Sequence, residues 1–171
     1  MTADFESRCQ ALVVELGLGN ADAIQSIEPL TGGVASDIGK VVLANKTICI
    51  KFALPKLKVA QDWRAPVHRN TAEYHWLRTA VQIAPNMAPK LYGRSKIQHG
   101  FAMEFLGGKD VYLWKNALLL GQQPRGEAAR VADVLGQIHA TSARSEFDRS
   151  PFQNRDDFDD LRIDPYLRFT A

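Results

Sequence analysis

The spacing of hydrophobic positions changes several times along the chain. Residues 5–18 carry apolar side chains near helical spacing, and Gly17 and Gly19 provide the stop, which predicts a first helix. Three short segments rich in β-branched residues follow, and turn residues separate them. They predict a three-stranded antiparallel meander with strands at 24–30, 38–43 and 47–54.

The next part of the pattern adds one helix and two strands. A helix at about 67–83 is predicted after Pro66, because proline suits an early helical position, and Pro85 ends it. Two further strands are predicted at 90–95 and 100–106.

The composition then changes from strand-rich to helix-rich at Gly107-Gly108. Helices are predicted at about 125–141 and around 155–169. This change predicts two lobes, residues 1–106 and residues 107–171.

Composition and charge narrow the class of protein. The chain has 171 residues, of which 46% are apolar and 23% charged, and these values are typical of a globular protein. The formal net charge of +2 is too small to indicate a nucleic acid or an anionic membrane as partner. Cys9 and Cys49 have neither disulfide-framework nor metal-ligand spacing, and no secretory signal or apolar run of about 20 residues is present. A soluble, cytoplasmic protein is therefore expected.

Lys51 is the first candidate for chemistry. Alternation along the strand at 47–54 places it on the face shared with Cys49 and Ala53, opposite the more apolar face. Small, weakly polar neighbours around one long cation would suit a ligand lying over the sheet. The alternative is a solvated lysine on an open strand face.

Glu73 projects from the apolar stripe of the predicted helix at 67–83. A carboxylate in that position costs several kcal/mol unless a cation meets it. Lys51 is the residue able to do so, and the pair would fix an ammonium where it could bind polyphosphate oxygens. The alternatives are a glutamate that reaches water at the edge of the stripe, and an unrelated α+β domain in which the two side chains never meet.

Two backbone segments complete the candidate site. The turn at 31–37 contains Gly32, Gly33 and Ser36, and glycines allow a backbone to approach a phosphate and direct N–H groups at it. The segment at 101–108 is an apolar strand that ends in glycines, and its free backbone groups could bond an adenine ring. Taken singly, a simple turn and an edge strand meeting a linker explain these segments equally well.

The four features occur in the order of a known fold. Over roughly residues 25–145 they resemble the amino-terminal part of the aminoglycoside phosphotransferase and choline kinase family, which has the protein kinase-like fold. The similar motifs are the phosphate loop at 31–37, the lysine strand at 47–51, the glutamate helix at 69–73, the hinge at 103–106 and the first long helix of the second lobe at 135–140. Residues 53–58, with Asp62 and Trp63, are similar more weakly to methylthioribose kinase.

The resemblance implies a fold and a reaction. The implied fold is α+β: a five-stranded antiparallel sheet with one packed helix, a hinge, and an incomplete helical carboxy-terminal lobe. The implied reaction moves the γ-phosphoryl group of ATP, with Mg²⁺, to a hydroxyl of an unidentified small molecule. Lys51 would hold the α- and β-phosphates, and Glu73 would hold Lys51. The phosphate loop would contribute Gly32, Gly33 and Ser36, and the hinge would contribute the Glu104 carbonyl and the Leu106 N–H.

The chain departs from the family in its catalytic residues. The family carries a His-Gly-Asp loop, a downstream Asn and a metal-binding Asp, whereas here the His-Gly pair is His99-Gly100, followed by Phe101 in a predicted strand. No catalytic residue or Mg²⁺ ligand is assigned, and the metal ligands are expected in a missing lobe. A fragment or a degenerate relative is therefore expected, inactive alone and binding nucleotide weakly at best. The alternative is a non-catalytic half-kinase module that binds a partner or self-associates through the unfinished lobe.

Other polar and aromatic residues have structural interpretations. The acidic run Asp156, Asp157, Asp159 and Asp160 lacks metal-loop spacing and is expected to decorate the start of an amphipathic helix. His139 is expected to pack or cap near a helix end. The three tryptophans form no basic-aromatic platform, so single-stranded nucleic acid is not an expected partner.

Overall fold

The chain begins with one helix and continues as a strand-rich region that a second helix interrupts. The computed structural model describes residues 3–31, 33–109 and 111–168. The first part comprises helix α1 (Ala3–Glu15), strands β1 (Ile24–Leu30), β2 (Ser36–Leu43) and β3 (Lys46–Ala53), helix α2 (Asn70–Ile83), and strands β4 (Leu91–Ser95) and β5 (Gly100–Glu104). The second part comprises helices α3 (Trp114–Leu119), α4 (Glu127–Ser142) and α5 (Arg155–Phe158), the last continuing as a π-helical stretch, Asp159–Arg168. Short 3₁₀ turns occur at Ala21–Ala23, Val67–Arg69 and Ser150–Phe152.

Five strands within the described residues form one antiparallel sheet in the order β1-β2-β3-β5-β4. β3 therefore lies at the centre, with β2 on one side and β5 on the other. The α+β class and the five-stranded antiparallel sheet predicted from the sequence are confirmed. None of the helices in this part of the chain combines the length and the apolarity that a membrane crossing requires.

Helix α1 packs on one face of the sheet and forms the main core. Its apolar residues, among them Phe5 and Leu12, meet Ile48, Ile50 and Phe52 of β3, and these three β3 side chains are fully buried. Alternation along β3 explains this, because residues 48, 50 and 52 point to the same face. The predicted apolar face of the strand is therefore the core face.

Helix α2 packs on the opposite face of the sheet. The ring of Tyr74 meets Phe101 of β5 edge-on, with centroids 5.8 Å apart. Arg94 of β4 donates a hydrogen bond of 2.6 Å to the hydroxyl of Thr71. The face of β3 that carries Lys51 is therefore partly covered by a helix.

The structure differs from the predicted boundaries at several places. The helix predicted from residue 67 begins at Asn70, because Val67–Arg69 forms a 3₁₀ turn. β5 ends at Glu104, so the chain has left the strand before residue 106. Helix α3 was not predicted, because its apolar residues show no helical period. In the region of the helix predicted at 155–169, the structure has α5 and the π-helical stretch Asp159–Arg168, and residue 169 lies outside the described residues.

Cys9 belongs to α1 and is fully buried in the core, and burial raises the pKa of its thiol to about 12 from the ordinary value of 9.0. Above pH 9 the unfolded chain loses this proton while the folded protein keeps it, so stability falls as the pH rises toward 12. Between pH 7 and pH 10, the free energy of unfolding of the wild type is expected to fall by about 1.4 kcal/mol more than that of Cys9→Ala. Urea denaturation of both proteins at the two pH values measures this difference. The same pH dependence in both would show that Cys9 titrates normally in the fold.

Candidate functional site

Lys51 lies near the end of β3, on the face of the sheet that α2 covers. The strand register places it opposite Ile38 of β2 and Phe101 of β5. Its side chain is 20% exposed, and its Nζ donates a hydrogen bond to Oε1 of Glu73. Lys51 is therefore not a freely solvated strand charge.

Glu73 reaches Lys51 from the first turn of α2. Its side chain is 38% exposed, so the carboxylate keeps contact with water while it binds the ammonium. An acidic side chain in the first turn also interacts favourably with the helix dipole. The ion pair predicted from the faces of the strand and the helix is present, and the interpretation in which the two side chains never meet is wrong.

An open cleft of about 670 Å³ lies beside this ion pair. Gly33, from the connection between β1 and β2, and Ser36, the first residue of β2, line the cleft together with Lys51 and Glu73. Gly32, the other glycine predicted for this loop, lies outside the described residues. The structure therefore brings loop, strand and helix residues together at one cleft.

The segment that follows β3 braces the loop between β1 and β2. The backbone N–H of Lys58 donates to the carbonyl of Val34 at 2.8 Å, and the N–H of Leu54 donates to the carbonyl of Ala35 at 3.2 Å. Leu57 between them is buried and lines the cleft. Two consecutive loop carbonyls are thus occupied by backbone donors.

Arg69 is a residue of the cleft that the sequence did not reveal. Its Nη1 donates to the carbonyls of Ala65 at 3.1 Å and Pro66 at 2.7 Å, and its Nη2 donates to those of Ala35 at 2.6 Å and Leu54 at 3.0 Å. The guanidinium is partly buried where three chain segments meet. Its partners are all backbone oxygens, which every residue possesses, so no sequence pattern could have indicated them.

Charges of both signs lie around the cleft. Burial lowers the pKa of the Arg69 guanidinium, and the carboxylates of Asp157 and Glu73 oppose that shift. Asp157 accepts a hydrogen bond of 3.3 Å from Nδ2 of Asn154, and Oδ1 of Asp157 lies 3.2 Å from Nε2 of His68. The α5 segment therefore contacts the turn that leads into α2.

The acidic run is not a uniform helix decoration. Asp156 and Asp160 are exposed, as that interpretation predicts, but Asp157 is 4% exposed and lines the cleft. Asp157 does lie in the first turn of α5, as that interpretation predicts, but its side chain is buried rather than on the surface. The available signal was the spacing of Asn154 and Asp157, because the residue that precedes a helix can contact the side chain three residues later.

The predicted hinge residues lie away from the cleft. Glu104 ends β5 opposite Ile48, three residues from Lys51 along β3, which corresponds to about 10 Å of strand. Its carboxylate accepts a hydrogen bond of 3.2 Å from the N–H of Lys90. Leu106 lies beyond the strand, and its side chain is 56% exposed. Neither residue lines the cleft, so a ligand touching both regions would have to extend along β3.

Comparison with protein-family models and with curated proteins finds no match to this chain. Within residues 3–31, 33–109 and 111–168, no group of three or more His, Cys, Asp or Glu side chains is arranged to hold a metal ion.

Proposed function

We propose that this chain is the ATP-binding part of a small-molecule phosphotransferase with a protein kinase-like amino-terminal lobe. The observation that carries the proposal is the ion pair of Lys51 and Glu73 at the cleft beside Gly33. A partly buried ammonium held by a carboxylate has a fixed position, and a fixed cation suits the oxygens of a polyphosphate. The fold, in which the lysine lies on a central strand and the glutamate on the helix that covers it, agrees with that assignment.

In this proposal each residue of the site binds one part of the ATP molecule or holds a neighbouring residue in place. Lys51 binds the α- and β-phosphate oxygens, and Glu73 keeps its ammonium from moving. The loop containing Gly32, Gly33 and Ser36 covers the phosphates, and the backbone at Glu104 and Leu106 binds the adenine. Positioning and electrostatics supply most of the rate in phosphoryl transfer, so a chain without a catalytic base is expected to bind nucleotide rather than turn it over.

The residues around the cleft do not supply a complete Mg²⁺ site. Asn154 and Asp157, which line the cleft, offer two oxygen ligands, but Asp157 is already bonded to His68 and Asn154. No step in this chain is therefore assigned to a metal ion. The acceptor is a hydroxyl-bearing small molecule whose identity these residues do not specify.

Titration calorimetry with Mg-ATP tests the proposal. Lys51→Ala is expected to weaken binding about ten- to hundredfold, because a charge-assisted contact contributes about 1.5–3 kcal/mol. The matched control is Lys56→Ala, since Lys56 lies five residues away, is more than half exposed and pairs with Asp62 outside the cleft lining. Lys56→Ala is expected to bind as the wild type does. Equal heats for wild type and Lys51→Ala, or no binding by the wild type, would refute the nucleotide role.

The second candidate is a non-catalytic interaction module. One observation favours it: α3 and the residue after it present Leu118, Leu119 and Leu120 with exposed fractions of 59%, 76% and 74%. Clustered apolar exposure of this kind is typical of surfaces that another protein covers. The same titration separates the two candidates, because an interaction module gives no ATP heat that depends on Lys51.

A further inference from the structure

The guanidinium of Arg69 connects the phosphate loop with the start of α2. Its Nη2 binds the carbonyl of Ala35 in the loop and that of Leu54 just after β3. Its Nη1 binds the carbonyls of Ala65 and Pro66 in the segment that approaches α2. One side chain therefore bridges three segments that are distant in sequence.

The chemistry of these contacts is specific to arginine. Four carbonyls lie around one rigid plane, and each of two terminal nitrogens serves two of them. A lysine carries one ammonium on a flexible stem and cannot donate from two fixed positions at once. Arg69→Lys therefore keeps the charge but loses the geometry.

The contact to Ala35 determines how the loop faces the cleft. A carbonyl oxygen turned toward a phosphate would repel it, whereas N–H groups attract it. The Ala35 carbonyl is held by Arg69 and by the N–H of Leu54, and the Val34 carbonyl is held by the N–H of Lys58. These bonds keep both oxygens occupied within the protein.

The position of Arg69 in the chain couples the loop to the ion pair. Arg69 directly precedes α2, and Glu73 lies one helical turn further on. A change in the Arg69 contacts would therefore shift the loop and the start of α2, which carries Glu73, together.

We propose that Arg69 is a positioning residue that holds the phosphate loop over the cleft in register with Lys51 and Glu73. The part of this inference that concerns nucleotide rests on the proposed function. The part that concerns the loop does not, and it has its own measurement.

Amide hydrogen exchange followed by NMR tests the loop. In Arg69→Lys the amides of Leu54 and Lys58, which bond to the loop carbonyls, are expected to exchange about tenfold faster or more. The amide of Ile50 in the centre of β3 is expected to keep its wild-type rate. Arg64→Lys is the matched control, because Arg64 lies in the same segment with a side chain that is 73% exposed. Unchanged exchange at Leu54 and Lys58, or equal acceleration at Ile50, would overturn the positioning role.

Paired titrations with Mg-ATP and adenosine test the nucleotide part. Because the loop covers phosphates, Arg69→Lys is expected to weaken Mg-ATP binding about tenfold and adenosine binding less than about twofold. Equal weakening of both ligands would overturn a role at the phosphates. If the wild type binds neither ligand, the proposed function fails together with this part, while the exchange rates still decide whether Arg69 positions the loop.

Discussion

Phe52→Ala is expected to lower the free energy of unfolding by about 3–5 kcal/mol, the largest effect of any substitution considered for this fold. The ring is fully buried on the α1 face of β3. It meets Phe5 edge-on with centroids 6.3 Å apart, and the Arg8 guanidinium lies 4.1 Å from its centroid. Gly100 leaves room for the ring, since a Cβ there would lie 2.3 Å from Cδ1 of Phe52. Truncation would leave a cavity between α1 and the sheet that neighbouring residues fill poorly.

Urea denaturation measures this loss, and Ile97→Ala is the control. Ile97 is an apolar residue that is 86% exposed, so its truncation is expected to change stability by no more than about 0.5 kcal/mol. A loss below about 1 kcal/mol for Phe52→Ala would show that α1 does not pack on the sheet as described.

The strands could be predicted because their signal is local. β1 occupies the predicted range, and the faces of β3 follow from alternation alone. The predicted helices differ from the structure where the local sequence signal is ambiguous. Val67–Arg69 follows a proline and reads as a helical turn, but it forms a 3₁₀ turn before α2 begins. α3 contains Ala117, Leu118 and Leu119 in succession, and such a run has no period from which a helix could be inferred.

In the candidate site, too, some residues could be predicted from the sequence and others could not. Lys51 and Glu73 could be paired from sequence because an unpaired carboxylate on an apolar helix face is costly, and the strand offered one cation to meet it. Arg69 could not be found, because its four partners are carbonyl oxygens brought together by the fold. Burial distinguishes Asp157 from its acidic neighbours, and that burial depends on how α5 lies against the rest of the protein, which the local sequence does not determine.

The ion pair of Lys51 and Glu73 is expected to show a coupling energy of about 1–2 kcal/mol in a double-mutant cycle on stability. Removing Glu73 alone leaves an ammonium that is only 20% exposed without its carboxylate, which costs more than losing a surface charge. Replacing Lys51 by Met as well removes that penalty, so Lys51→Met/Glu73→Ala is expected to be more stable than the sum of the single changes predicts. Solvent around Glu73, which is 38% exposed, keeps the coupling below that of a fully buried pair.

The pair of Lys40 and Glu28 on the same sheet provides the matched cycle. Its Nζ and Oε2 atoms are 3.1 Å apart, but its side chains are 31% and 62% exposed, so water screens it more. Its coupling is expected to lie between about 0 and 1 kcal/mol and to decrease in high salt. Urea denaturation of the wild type and the three variants of each cycle, seven proteins in all, gives both energies. If the two couplings agree within error, Glu73 does not fix the ammonium of Lys51 more firmly than an exposed surface pair would, and the proposed phosphate-binding role of Lys51 is contradicted.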